Sequence, residues 1–75
     1  MADKTLDVKG LNCPLPILRA KKALKDMPAG AVLEVLATDP GSLEDFPAFC
    51  NSTGDELVEA ADDGGVYRFL IRRAN

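Results

Sequence analysis

The chain has 75 residues and a formal net charge of −3 at pH 7, and its composition, 47% apolar and 28% charged, is typical of a globular domain rather than of a disordered segment. This acidic balance argues against direct binding of nucleic acid, which needs clustered Lys and Arg. With no His and only two Cys, the sequence offers neither a conventional zinc site nor a Cys-His nucleophile pair, and we expect neither a metal nor a cofactor.

The first half of the chain predicts a strand, a helix and a second strand. Apolar and polar residues alternate over residues 4–9, as they do in a half-buried strand. Apolar residues then recur at helical spacing over residues 17–27, which predicts an amphipathic helix that ends at the following Pro-Ala-Gly stretch. The nearly continuous apolar run at residues 31–37 predicts a second, well-shielded strand.

The segment that follows predicts a second helix with an irregular interior. Ser42, followed three residues later by Asp45, resembles a helix-capping pair, and Gly54 suits the residue that ends a helix. Pro47 lies inside this segment, where it removes a backbone donor and clashes with the preceding turn. We therefore expect Pro47 to kink the helix or to split it into two short turns.

Two more strands complete the predicted fold. Residues 56–61 and 66–73 have strand character, and Gly64 and Gly65 between them supply the positive φ that a tight hairpin needs. The order βαβαββ predicts an α+β two-layer sandwich, a mixed four-stranded sheet with both helices on one face, because a chain this short cannot cover both faces. We expect residues 1–75 to form a single domain.

We also expect a cytoplasmic protein that makes no contact with a membrane. No apolar stretch approaches the roughly 18 residues that span a bilayer, and residues 1–10 lack the apolar run of a signal peptide. In a reducing cytosol the two cysteines are expected to be free thiols.

Cys13 lies where the first strand has ended and the first helix is about to begin. Pro14 suits the first helical position, which makes Cys13 the N-cap, and with Pro16 in the same turn the Leu15 N–H becomes the local donor toward the Cys13 sulfur. The partial positive charge of a helix amino terminus stabilises a thiolate, so we expect the pKa of Cys13 to be lowered. The alternative is that Cys13 is a small buried apolar residue.

Cys50 is expected to play a packing role. It lies beside Phe46 and Phe49 in the second predicted helix, which indicates a core or half-buried thiol. A different hypothesis pairs Cys50 with Cys13 as a redox switch, which requires the two Cα atoms to come within about 7 Å.

Four residues of the first helix form a candidate docking patch for partner proteins. The helical wheel places Leu15, Leu18, Arg19 and Lys22 on one side, away from the apolar stripe that faces the core. An apolar pair beside basic residues and next to Cys13 suits protein docking. The alternative is that these are ordinary exposed side chains, which are common on protein surfaces.

Three segments resemble a known family. The stretch "LDVKGLNCPLPIL" strongly resembles the Cys-Pro-X-Pro signature of the TusA/SirA family of small sulfur carriers, with Gly10, Leu11, Pro14 and Pro16 as the motif residues around Cys13. "ATDPGSLEDFPAFC" is similar to the second block of that family, and "YRFLIRR" resembles its last strand. The resemblance therefore covers nearly the whole chain.

The resemblance implies a βαβαββ fold and a sulfur carrier in which Cys13 holds sulfur as a persulfide. The donor in such a relay is a cysteine desulfurase or a rhodanese-like protein, and the acceptor protein serves tRNA thiolation, molybdenum cofactor formation or sulfur oxidation. Such a sulfurtransferase-type carrier depends on its partner proteins and is expected to be a monomer. Because members of the family are also linked to gene regulation, a regulatory or interaction module without catalysis is the alternative.

Overall fold

The computed structural model describes residues 2–74 and contains six elements in the predicted order βαβαββ. They are β1 (Lys4–Asp7), α1 (Leu15–Lys25), β2 (Val32–Ala37), α2 (Ser42–Thr53), β3 (Glu56–Asp62) and β4 (Tyr67–Arg72). α1 differs from prediction at both ends: it begins at residue 15 instead of 17 and ends at residue 25 instead of 27. Within residues 2–74, neither helix has the length and apolar character needed to cross a membrane.

The strands form one mixed sheet in the order β1-β2-β4-β3. β1 and β2 are parallel, with Leu6 opposite Val35, whereas β4 is antiparallel to both β2 and β3. β3 and β4 form the predicted hairpin, and the turn between them contains Gly64 at φ +70° and Gly65 at φ +99°. Because β1 and β2 are parallel neighbours, the loops that leave their carboxyl ends lie at the same edge of the sheet.

One face of the sheet carries both helices, which confirms the two-layer α+β sandwich. In β2, buried residues alternate with half-exposed ones, the pattern of a sheet covered on one side. The core joins side chains from the sheet (Leu33, Val35, Ala37, Phe69, Ile71), from the residue that follows β1 (Val8), from α1 (Ala20, Ala23, Leu24) and from α2 (Phe46, Cys50). Phe46 and Phe69 stack across the two layers, with ring centroids 4.7 Å apart.

Helix α2 differs from prediction at its start, and of the two effects expected of Pro47 it does not show the split. Gly41 is the N-cap and no side chain caps the helix, so the predicted capping role of Ser42 is wrong; Ser42 is buried instead. α2 also continues through Pro47 as one helix rather than as two short turns. The end of the helix agrees with prediction, because Gly54 lies at φ +85° and its N–H donates to the Cys50 carbonyl at 2.9 Å.

Candidate functional site

Cys13 lies exposed in the turn that joins β1 to α1. Gly10 opens this turn at φ +82°, a conformation that favours glycine, and its N–H donates to Thr38 Oγ1 at 2.9 Å. Leu11 packs against the core, and its N–H donates to the Val8 carbonyl at 3.2 Å. The residues before Cys13 are therefore anchored to the body of the protein while the thiol itself stays at the surface.

The prolines around Cys13 adopt a different arrangement from the predicted one. Pro14 is the N-cap of α1, Pro16 lies buried in its first turn, and the Cys13–Pro14 peptide bond is cis. Because the helix begins at Leu15, Cys13 is one residue too early to be the N-cap. The Leu15 N–H donates to the Asn12 carbonyl at 2.9 Å, and so it is not directed at the Cys13 sulfur.

Asp39 connects the Cys13 turn to the loop that precedes α2. The Cys13 backbone N–H donates to Asp39 Oδ2 at 2.8 Å, and Asp39 Oδ1 accepts the Gly41 N–H at 3.3 Å. Prediction from sequence did not include this contact. The sequence places Asp39 shortly after β2. Because β1 and β2 are parallel, their carboxyl ends lie at the same edge of the sheet, and this brings Asp39 near the Cys13 turn.

An open groove lies beside Cys13 between the amino-terminal end of α1 and one side of α2. Ile17 of α1 lines one side, and Asp45, Phe49 and Ser52 of α2 line the other. Ile17 and Phe49 are half-buried and pack against the core. We call this feature the Cys13 groove; it places an apolar surface and one carboxylate next to an accessible sulfur.

The electrostatic environment of Cys13 is opposite to the predicted one. Hydrogen bonding to the Asp45 carboxylate raises the pKa of the Cys13 thiol, and desolvation and the negative charges of Asp45 and Asp39 raise it further. Arg19 and Lys22 are solvent-exposed, where charges act weakly. The expected lowering of the Cys13 pKa is therefore wrong, because the carboxylates raise it.

Cys50 lies in the core, as its aromatic neighbours in the sequence indicate. Its side chain is only 4% exposed, and burial raises its pKa to about 11, with a smaller contribution from the charge of Asp55. Both Cys13 and Cys50 are free thiols. An enclosed thiol that stays protonated is suited to packing rather than to exchange with a partner.

Known proteins resemble this chain over nearly its whole length. Residues 4–73 match the family model described as sulfurtransferase TusA. The chain belongs to the TusA family. It is 58% identical to the sulfur carrier protein TusA of Allochromatium vinosum, over 96% of this chain and 95% of the relative. It is 56% identical to a putative sulfur carrier protein of Neisseria meningitidis serogroup A, over 96% of this chain and 97% of that one.

The fold of a solved structure agrees as well. A SirA-like protein from Desulfitobacterium hafniense superposes with a TM-score of 0.83 at 32% identity, over 96% of this chain and 99% of the other. The predicted membership of the TusA/SirA family is thus confirmed, and the chain is a TusA-type sulfur carrier. Carriers of this type exchange sulfur with donor and acceptor proteins.

The residues of the predicted docking patch lie together on the outer side of α1 of this TusA-type fold. Leu15 and Leu18 are 43% and 54% exposed, and Arg19 and Lys22 are exposed beside them. The spacing of the four residues follows consecutive turns of a helix, which places them on one face. Arg19 and Lys22 also line a shallow depression with Lys4, so positive charge extends from α1 toward β1.

Proposed function

We propose that Cys13 carries sulfane sulfur as a persulfide, accepting it from a donor protein and passing it to an acceptor protein. The observation that supports this most strongly is the contrast between the chain's two thiols. Cys13 is exposed in a turn anchored on both sides, whereas Cys50 is enclosed in the core. A carrier must present its sulfur to two different active sites, and only an accessible thiol can do so.

The transfer chemistry needs nothing beyond the two sulfur partners. The Cys13 thiolate attacks the outer sulfur of a donor cysteine persulfide, a new S–S bond forms, and the donor S–S bond breaks. The donor cysteine leaves as a thiolate and takes up the proton that Cys13 lost. An acceptor thiolate later attacks the outer sulfur of the Cys13 persulfide and restores the Cys13 thiol. No external oxidant or reductant is consumed.

The motif residues support this role by shaping the turn. Gly10 supplies the positive φ at which the chain leaves β1, and Leu11 fixes the turn to the core. Pro14 caps α1 and Pro16 packs in its first turn, so the chain on both sides of Cys13 is held in place. We assign these four residues a supporting role and the sulfur chemistry to Cys13 alone.

Partner proteins supply the rest of the pathway. We assign the donor to the cysteine desulfurases or rhodanese-like proteins, and the acceptor to tRNA thiolation, molybdenum cofactor formation or sulfur oxidation. The docking patch of Leu15, Leu18, Arg19 and Lys22 would meet an acidic surface with an apolar centre on such partners. The carrier is proposed to act in the cytoplasm, as a monomer, with residues 1–75 as its single domain.

The decisive test is sulfur loading followed by intact mass. We expect wild type, incubated with a purified cysteine desulfurase and free cysteine, to gain one reductant-labile sulfur atom. Cys13→Ser should gain none and retain a native circular dichroism spectrum, because the side chain is exposed. Cys50→Ala is the matched control and should load as wild type does. Equal loading of Cys13→Ser would move the carrier role away from Cys13.

A further inference from the structure

Two carboxylates converge on the Cys13 turn from the start of α2. Asp39 accepts the Cys13 backbone N–H, and a Cβ placed on Gly41 would lie 3.3 Å from Asp39 Oδ2 and 3.6 Å from Asp45 Oδ2. Both carboxylates therefore lie close to Gly41 at the start of α2. Asp45 belongs to the first turn of α2, where its N–H donates to the Gly41 carbonyl at 2.9 Å, so its backbone position is fixed.

Neither carboxylate takes part in an ion pair within residues 2–74. The ion pairs there join Lys9 to Asp7 or involve Arg68 and Arg72 of β4, and none includes Asp39 or Asp45. Among the residues that the structure describes, no Lys or Arg lines the Cys13 groove, whereas Asp45 and Cys13 both line it. The carboxylate that faces the thiol thus acts on it without a competing cation.

We propose that Asp45 is a positioning residue for Cys13: its carboxylate holds the free carrier in the thiol form, so that Cys13 reacts slowly with small molecules when no partner is bound. This inference rests on the proposed role of Cys13 in sulfur transfer. The only chemical step is ionisation of the thiol: Cys13 Sγ releases its proton to water, and no bond between non-hydrogen atoms forms or breaks. The charged groups that face the thiol are Asp45 from α2 and Asp39 from the preceding loop.

The test compares the pH dependence of Cys13 reactivity with and without the Asp45 charge. All proteins carry Cys50→Ala, and the probe is a small uncharged disulfide. For Asp45→Asn we expect the midpoint of the profile to move to lower pH, because removing the negative charge favours the thiolate, so the thiolate population at pH 7 rises. A thiolate of lower pKa is also a weaker nucleophile, but on a logarithmic scale nucleophilicity falls only about half as far as the thiolate population rises, so Asp45→Asn should react faster at pH 7.

The crossing of the two profiles is the diagnostic result. Above both midpoints the thiol is fully ionised in both proteins, and Asp45→Asn should then react more slowly than the reference, because its thiolate is the weaker nucleophile. A loss of steric hindrance would instead speed the reaction at every pH. Asp45→Glu, which keeps the charge, should restore much of the wild-type profile, and Asp45→Ser should shift it as Asp45→Asn does.

Glu44→Gln is the matched control, because Glu44 precedes Asp45 in the same helical turn but does not line the Cys13 groove. Its profile should superpose on that of the reference. The inference is overturned if the Asp45→Asn profile does not shift, or if Glu44→Gln shifts as far. Neither result bears on sulfur loading, since the probe reaction uses no donor protein; loss of the proposed function would appear as loading of Cys13→Ser.

Discussion

Cys13 and Cys50 show how one residue type serves two purposes in a chain of 75 residues. The pKa of both thiols is raised, but Cys13 is affected by neighbouring carboxylates at the surface and Cys50 by burial in the core. A docking protein can compensate surface charge, whereas burial is reversed only when the chain opens. The comparison teaches that exposure, rather than thiol acidity in the free protein, separates Cys13, the cysteine that we propose carries sulfur, from Cys50 in the core.

The largest expected effect is the difference in reactivity between the two thiols. A pKa of about 11 lowers the thiolate population of Cys50 about a hundredfold relative to an ordinary cysteine, and enclosure slows its reaction further. We expect iodoacetamide at pH 8 to modify Cys13, in Cys50→Ala, more than a hundredfold faster than it modifies Cys50, in Cys13→Ser. The rates should converge in concentrated denaturant. Similar rates in the native proteins would remove the distinction between the two environments.

A core substitution should weaken the protection of Cys50 and leave Cys13 unchanged. Phe46 stacks on Phe69 in the cluster that contains Cys50, so Phe46→Leu should lower the free energy of unfolding by about 1–2 kcal/mol. Urea unfolding measures the loss, and alkylation of Cys50 should accelerate in parallel. Leu18→Ala is the control, because Leu18 is exposed and its loss should cost less than about 0.5 kcal/mol. Equal losses from the two substitutions would contradict the assigned packing.

The environment of Cys50 could be predicted from the sequence, because it depends on local pattern. The neighbouring Phe46 and Phe49 in a predicted helix were enough to indicate a packed thiol, and apolar patterns together with turn and cap residues predicted all six elements. The boundaries of α1 were less accurate. At its carboxyl end, Arg73 donates to the Leu24 and Lys25 carbonyls, a contact from a residue distant in sequence.

The environment of Cys13 could not be predicted in the same way, because the groups that determine it are distant in sequence. Asp39, which accepts the Cys13 N–H, is 26 residues away, and Asp45 lies further along the chain. Their approach depends on β1 and β2 being parallel neighbours and on where α2 begins. Local sequence around Cys13 contains only the helix start and basic residues, and these alone favour a lowered pKa.

A smaller effect is expected from the docking patch. Arg19→Glu reverses an exposed charge on α1, so we expect loading by a cysteine desulfurase to slow several-fold at low ionic strength and to recover as salt screens the charge. The rate of Cys13 alkylation by a small neutral reagent should change less than twofold.

The matched control for Arg19→Glu is Arg72→Glu, on the sheet face that the helices leave uncovered. Among residues 2–74, Arg72 is paired with the exposed Glu56 alone, a contact that contributes little to stability. Its reversal should leave loading unchanged at both salt concentrations. If Arg19→Glu loads at the wild-type rate at low salt, the partners dock elsewhere; if its alkylation slows as much as its loading, Arg19 acts on the thiol and not on docking.

The measurement that tests the central claim most directly is the location of transferred sulfur in the unmodified chain. Wild type is loaded by a cysteine desulfurase with free cysteine, trapped with iodoacetamide, digested and sequenced by tandem mass spectrometry. The account predicts an alkylated persulfide on the peptide that contains Cys13, its loss on treatment with a reductant before trapping, and unmodified sulfur on Cys50. Persulfide found on Cys50, or spread equally over both cysteines, would contradict it.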